Sequence, residues 1–212
     1  MQRGTKSLLF GVHQFIWHPF TVFCAWVMLY KRMPNIKEAI CIFIHDWGYW
    51  GKPDMDGKEG EQHPIWAADV AHRFLDTSYR EPIHGFSMDG NFEISGRLVK
   101  DTKYRDLCLY HSRHFARHTG HNVSDLCHAD KLSILFEPWW WYLPRAWASG
   151  ELAEYRKVAA NAGFVSLQVS HRQWFAWVKD RLLTLARERR GDAVPYVNPA
   201  GEDHESTKNT CA

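Results

Sequence analysis

A chain of 212 residues with 45% hydrophobic side chains, among them 11 Trp, 12 Phe and 8 Tyr, has ample apolar material for one buried core. Its formal net charge of +2 is too small for nucleic acid or an anionic membrane to be the main partner, because both depend on clustered Lys and Arg. Five cysteines, Cys24, Cys41, Cys108, Cys127 and Cys211, show no Cys-x-x-Cys spacing and no secretory context, which predicts reduced thiols and a cytoplasmic protein.

The first apolar stretch, Leu8 to Leu29, is interrupted by His13, Gln14, His18 and Pro19. Its unbroken part, Phe20 to Tyr30, is far shorter than the ~20 residues a bilayer span requires, so it reads as a core helix. Pro19 suits the first turn of a helix, which puts His18 at the N-cap of a helix running to about Lys31. Met33-Pro34 breaks the chain and Asn35 caps the next helix. There Ile36, Ala39, Ile40, Phe43 and Ile44 recur at helical spacing, and His45 and Asp46 end the helix before Gly48.

Residues 51–62 carry Gly51, Pro53, Gly57, Gly60 and six charged side chains, the composition of a surface loop. His63-Pro64 repeats the arrangement of residues 18 and 19, so a second helix is expected to open at His63 and run to about Leu75. Residues 77–96 hold Pro82, Gly85, Gly90 and Gly96, with a short hairpin possible around Asp89-Gly90. A helix is expected to resume near Asp101 and carry Tyr104, Leu107, Cys108 and His111, and another to begin at Ser124 and carry Asp130. Pro138 and Pro144 set off the Trp139-Trp140-Trp141-Tyr142 segment, whose composition favours packing or a subunit interface over stacking on a base. Helices are predicted over 151–161 and 167–190, after which the chain turns polar. The expectation is one all-α domain over 1–190, with a Trp-rich C-terminal helical extension and a disordered tail over 191–212.

The chemistry concentrates at His45-Asp46. A carboxylate directly after Ile42-Phe43-Ile44 implies a cation, a strong hydrogen-bond network or exposure at a cleft, because an unpaired buried charge costs several kcal/mol. His18 and His45 are 27 positions apart, which suits one helix, one turn and one antiparallel helix, so both imidazoles can meet at the same end of a helical pair. Asp130 would close the site from a third helix. The competing reading makes His45 and Asp46 a helix C-cap and surface pair.

His18-Pro-Phe-Thr-Val22, Ile42-Phe-Ile-His-Asp-Trp-Gly48 and Ala129-Asp-Lys-Leu132, in that order, resemble the HD-domain superfamily of metal-dependent phosphohydrolases over roughly Val12 to Tyr142. The resemblance implies an all-α, HD-domain-like helical bundle around a metal site, with His18, His45, Asp46 and Asp130 as ligands. His13 is the rival first ligand. Several such enzymes bind two ions through further histidines, for which His63 and His111 are the candidates. The other histidines of that region, at 72, 84, 114, 118, 121 and 128, read as surface or hydrogen-bonded residues.

Mixed imidazole and carboxylate ligands suit a divalent ion, one or two of Mn, Fe, Co, Ni, Zn or Mg. The implied reaction is attack of metal-activated water on a nucleotide or other small phosphorylated metabolite, with Asp46 orienting the nucleophile. Lys52 and Lys131 are candidate catalytic cations, Arg113 and Arg117 candidate phosphate contacts, and Glu59 and Glu61 candidate proton carriers. The nearest rivals are a phosphodiesterase or pyrophosphohydrolase acting on a cyclic or signalling nucleotide, and a non-catalytic ligand-binding module of the same fold. The text His45-Asp-Trp-Gly-Tyr-Trp-Gly-Lys-Pro-Asp54 loosely resembles the cyclic dinucleotide phosphodiesterase subgroup but lacks its Gly-Tyr-Pro signature, so that substrate is not carried over. No stable nucleic-acid or membrane partner is expected; a homo-oligomer is compatible with the sequence, which leaves the oligomeric state open.

Overall fold

The computed structural model describes residues 1–86 and 92–187. Ten helices and one hairpin make up this part: α1 (Arg3–Phe10), α2 (Trp17–Tyr30), α3 (Ile36–Ile44), α4 (His63–Phe74), β1 (Ser78–Phe86), β2 (Phe92–Lys100), α5 (Lys103–Leu109), α6 (Arg113–His118), α7 (Asp125–Leu132), α8 (Trp139–Ser149), α9 (Glu151–Asn161) and α10 (His171–Arg187). The chain is thus mostly helical. Among the described residues no helix is long and apolar enough to cross a membrane.

α3 is the central element. Asn35 starts it with a capping box: the Glu38 backbone N–H donates to Asn35 Oδ1 at 2.9 Å, and the Asn35 N–H donates to Glu38 Oε2 at 2.8 Å. Its helical period sends side chains to two sides. Cys41 and Ile44 pack with Ala67, Ala71 and Cys108 of α4 and α5. Ile42 packs with Val22, Trp26, Leu126 and Ala129 of α2 and α7. Burying a side chain such as Ile42, 2% exposed, contributes about 2 kcal/mol, so α3 is fixed from both flanks. A third cluster, with Tyr142, Ala146, Leu152, Trp174 and Phe175, joins α8, α9 and α10.

β1 and β2 pair antiparallel from Ser78↔Lys100 to Phe86↔Phe92. The hairpin leaves and returns at one point, where the Asp101 N–H donates to the Thr77 carbonyl at 2.9 Å. Beside it the Asp76 carboxylate accepts from the Tyr104 and Arg105 N–H groups at 2.8 and 3.2 Å, so the start of α5 is tied to the end of α4. The pairing is nine residues long on each strand, longer than the short hairpin expected; the Asp89-Gly90 turn and the tail from Gly191 lie outside the described residues.

Several boundaries differ from the sequence reading. The Leu8 to Leu29 stretch is two helices parted at Gly11, and His18 is the second residue of α2, not its N-cap. His111 lies in the turn between α5 and α6, beyond the helix expected to carry it. α8 runs through Pro144, because Arg145 anchors the segment from inside: its guanidinium donates to Glu137 Oε2 at 2.6 Å and to the Gly11 carbonyl at 3.1 Å. α10 begins at His171 rather than Leu167. Cys41, Cys108 and Cys127 are buried free thiols.

Candidate metal centre

Six side chains from five parts of the chain meet at the C-terminal end of α3. His18 comes from the first turn of α2, His45 and Asp46 follow the last residue of α3, and His63 opens α4. His111 comes from the turn after α5, and Asp130 from α7. The end of a helix is the negative end of its dipole, which favours a cation there.

Three of the imidazoles are held in the same way. The Nδ1–H of His45 donates to the Ile42 carbonyl at 2.7 Å, that of His63 to the Gly60 carbonyl at 2.8 Å, and that of His111 to the Cys108 carbonyl at 2.5 Å. A carbonyl oxygen only accepts, so Nδ1 must carry the proton in each ring. That leaves Nε2 with its lone pair free to face inward, the tautomer a metal ligand needs.

The inward atoms cluster tightly. Asp46 Oδ2 is 3.1 Å from both His18 Nε2 and His45 Nε2, and Asp46 Oδ1 is 3.5 Å from His63 Nε2 and 3.4 Å from His111 Nε2. His18 Nε2 is also 3.2 Å from Asp130 Oδ1, and the Nε2 atoms of His63 and His111 are 3.0 Å apart. Metal–ligand distances of about 2.1 Å imply ligand-to-ligand separations of about 3.0–3.4 Å, so the spacing fits a coordination shell. The directions fit too. His18 Nε2 and His45 Nε2 are buried, each 3.1 Å from the buried Asp46 Oδ2, yet none of the three atoms makes a hydrogen bond. Atoms that converge on a common point instead of on each other are what a shared cation requires. The trios His18, His45, Asp130 and His45, Asp46, His111 can each hold a metal ion, their ligand atoms lying within 4.8 Å of one another.

The charge states are set by the same neighbours. Burial pulls the His45 and His63 imidazoles below their ordinary value, for His63 with help from the adjacent His111, so both are neutral. Burial also opposes charge on His18, but the Asp130 and Asp46 carboxylates outweigh it and lift that ring to about 10. For Asp46 burial favours the acid form, and the surrounding imidazoles together hold it well below the carboxylate range. Asp130 is held low against burial by Lys131 and His18, and its carboxylate accepts from Lys131 Nζ at 2.6 Å.

A glycine makes the assembly fit. A Cβ on Gly48 would lie 1.9 Å from the His63 carbonyl oxygen, so only glycine lets the 3-10 turn Trp47–Tyr49 settle on the start of α4. Tyr49 then stacks on the His63 ring, with centroids 3.9 Å apart and planes 13° from parallel.

One group escaped the sequence reading. Glu151, at the start of α9, is fully buried and accepts from Ser7 Oγ at 2.6 Å, the Val12 N–H at 2.9 Å and His13 Nδ1 at 2.9 Å. His13 is thereby committed to Glu151, with its ring 5.3 Å from that of His18, and sits beside the six-residue cluster. The partners are 138 positions apart, so no local pattern announces them.

The candidate substrate groups divide. Lys131 is on Asp130, one quarter exposed. Glu61 is 30% exposed beside the His114 ring, and burial and the nearby Asp56 raise its carboxyl to about 7. Arg117 is exposed and within the field of Glu61. Arg113 lies against the Cys127 thiol. Lys52 lines a cleft of about 990 Å³ that none of the six clustered residues touches, and Glu59 is on the surface. Of the remaining histidines, His72 pairs with Asp76, His114 meets His118 with the rings tilted and 4.0 Å apart, His121 lies on Tyr110 and His128 is buried; the side chain of His84 lies outside the described part. Compared with protein-family models, with curated proteins and with solved structures, the chain matches none of them.

Proposed function

We propose that this chain is an HD-type metal-dependent phosphohydrolase acting on a nucleotide or another small phosphorylated metabolite. The observation that carries the reading is Asp46, whose two carboxylate oxygens each face a different pair of histidines: Oδ2 faces His18 and His45, Oδ1 faces His63 and His111. His18, His45, Asp46 and Asp130 would hold one divalent ion, and His63 and His111 with Asp46 a second. Bound there, divalent ions supply polarisation of a phosphoryl oxygen and a lowered pKa for water.

The residues around the ligands do the rest. Asp46 and Asp130 stay ionised, so both carboxylates are available as anionic ligands at physiological pH. Lys131 keeps its charge against burial because Asp130 is beside it, and its ammonium offsets the negative charge of a phosphoryl group. Glu61, near neutrality, can hold a proton at its carboxyl and hand it to a leaving oxygen. The three backbone-anchored imidazoles hold their orientation without reorganising.

The test is metal content and hydrolysis. Purified protein reconstituted with Mn is incubated with nucleoside mono-, di- and triphosphates, cyclic dinucleotides and alarmones, and phosphate and nucleoside products are quantified. Release from the simple nucleotides supports the reading. Turnover confined to the cyclic and signalling substrates transfers it to the phosphodiesterase or pyrophosphohydrolase alternative. Metal bound without hydrolysis of any phosphate ester or anhydride overturns it in favour of a binding module.

A further inference from the structure

Two apolar grooves open beside the turn between α1 and α2. The first, about 990 Å³, is walled by Phe15, Phe43, Trp47, Trp50, Ile65 and Trp66; the second, about 720 Å³, by Phe10, Trp17, Phe20 and Trp141. Ile16 lines both, so the two grooves adjoin, and none of the six clustered ligand residues lines either. Trp47 is stacked on Trp66 at 5.9 Å and meets Phe43 edge-on at 5.4 Å, so the wall is preassembled.

We infer that this face joins two copies of the chain into a symmetric dimer. Ile16 is 65% exposed, Trp50 62% and Phe20 55%, and with the other large residues lining the grooves, at about 200 Å² each, their total exposed area sums to about 800 Å². The largest patch on a typical monomer is about 300–600 Å². An interface of standard size takes about 800 Å² from each partner. The face therefore has the area one protomer needs. Its composition fits as well, with aromatic residues in excess and charges few.

The charges it does carry are complementary to each other. Lys52 and Asp69 both line the first groove, and neither is in an ion pair among the described residues. A two-fold interface matches a surface to itself, so Lys52 can meet the partner's Asp69 and Asp69 the partner's Lys52. Residues 188–212 are a poorer occupant: they include one aromatic residue, Tyr196, and eight charged ones, so they cannot match a wall of tryptophans. This inference does not depend on the hydrolase reading.

Sedimentation velocity on the full-length protein at 1–50 µM tests it. The expected species has twice the 24.8 kDa protomer mass. Trp50→Glu and Ile16→Glu, each checked by circular dichroism for unchanged helicity, should each weaken the dimer at least a hundredfold. Lys52→Glu should weaken it about tenfold and Lys52→Glu/Asp69→Lys should restore it, an outcome that does not rely on variants of the apolar wall. A wild-type protein that stays monomeric at 50 µM overturns the inference. So does a dimer unaffected by folded Trp50→Glu and by Lys52→Glu, because the interface would then lie elsewhere.

Discussion

Gly48 and His63 touch backbone to backbone, and that contact sets how closely Asp46 approaches the second pair of histidines. A methyl group on residue 48 would sit 1.9 Å from the His63 carbonyl oxygen, so the turn and α4 would have to part. Gly48→Ala should lower stability by about 1–3 kcal/mol, the usual cost of overpacking, and should reduce metal retention while leaving His45 in place. Denaturant melts together with metal analysis check both effects. Unchanged metal content would show that the contact does not position the site.

Removing a ligand should separate metal binding from folding. His45→Ala and Asp46→Ala are expected to abolish metal retention and turnover with helical content nearly intact, because the α3 cores lie before residue 45. Elemental analysis and circular dichroism on each variant provide the check. Full activity in either would reject the site.

The two lysines of the sequence reading should differ. Lys131 donates to Asp130 at the cluster, and Lys131→Ala is expected to slow turnover by about 10- to 100-fold, the loss of one charged stabiliser. Lys52→Ala, in the separate apolar groove, should leave kcat at saturating substrate within about twofold. Steady-state kinetics of both variants decide this.

Glu151 gives stability a dependence on acid. Burial would raise its carboxyl, but hydrogen bonds from His13, Ser149 and Ser7 and the His13 charge hold it below its ordinary value of 4.5. A depressed carboxyl contributes stability that is present above pH 4.5 and is lost as pH falls through the folded-state value. His13 acts in the opposite sense: its raised imidazole contributes fully below 6.5 and loses that contribution as pH rises through the folded value. Glu151→Gln should therefore cost about 3 kcal/mol at pH 6, as for a broken buried pair, and the difference from wild type should shrink below pH 4.5. Urea melts across pH 3.5–8 measure it.

At the other end of α3, Asn35→Ala removes the capping box. The expected loss is about 1 kcal/mol, seen as a lower denaturant midpoint with an unchanged slope.

Helix ends were the legible part of this chain. Pro19, Asn35 and Pro64 mark where α2, α3 and α4 begin, and those starts set His18, His45, Asp46 and His63 at helix termini. α1 was illegible because Arg3-Gly4-Thr5-Lys6 gives no apolar period; it is held by what its Ser7 side chain donates to, Glu151. Pro144 reads as a break in any local scheme, and only the Arg145–Glu137 pair explains why the helix continues. The same holds for His13: its local text suits a ligand, whereas its partner is supplied by a helix far along the chain.

The three imidazole anchors share a property that bears on how this site tolerates change. Each acceptor is a main-chain oxygen, at Ile42, Gly60 and Cys108, and every amino acid supplies one. At Ile42 and Cys108 a change of side chain leaves the acceptor atom itself in the chain, whereas a Cβ on Gly60 would lie 2.2 Å from the Met55 carbonyl oxygen and push the His63 anchor out of place. What would unseat the other two rings is a change in chain length between anchor and histidine, so those tethers are buffered against point substitution and vulnerable to single-residue insertions.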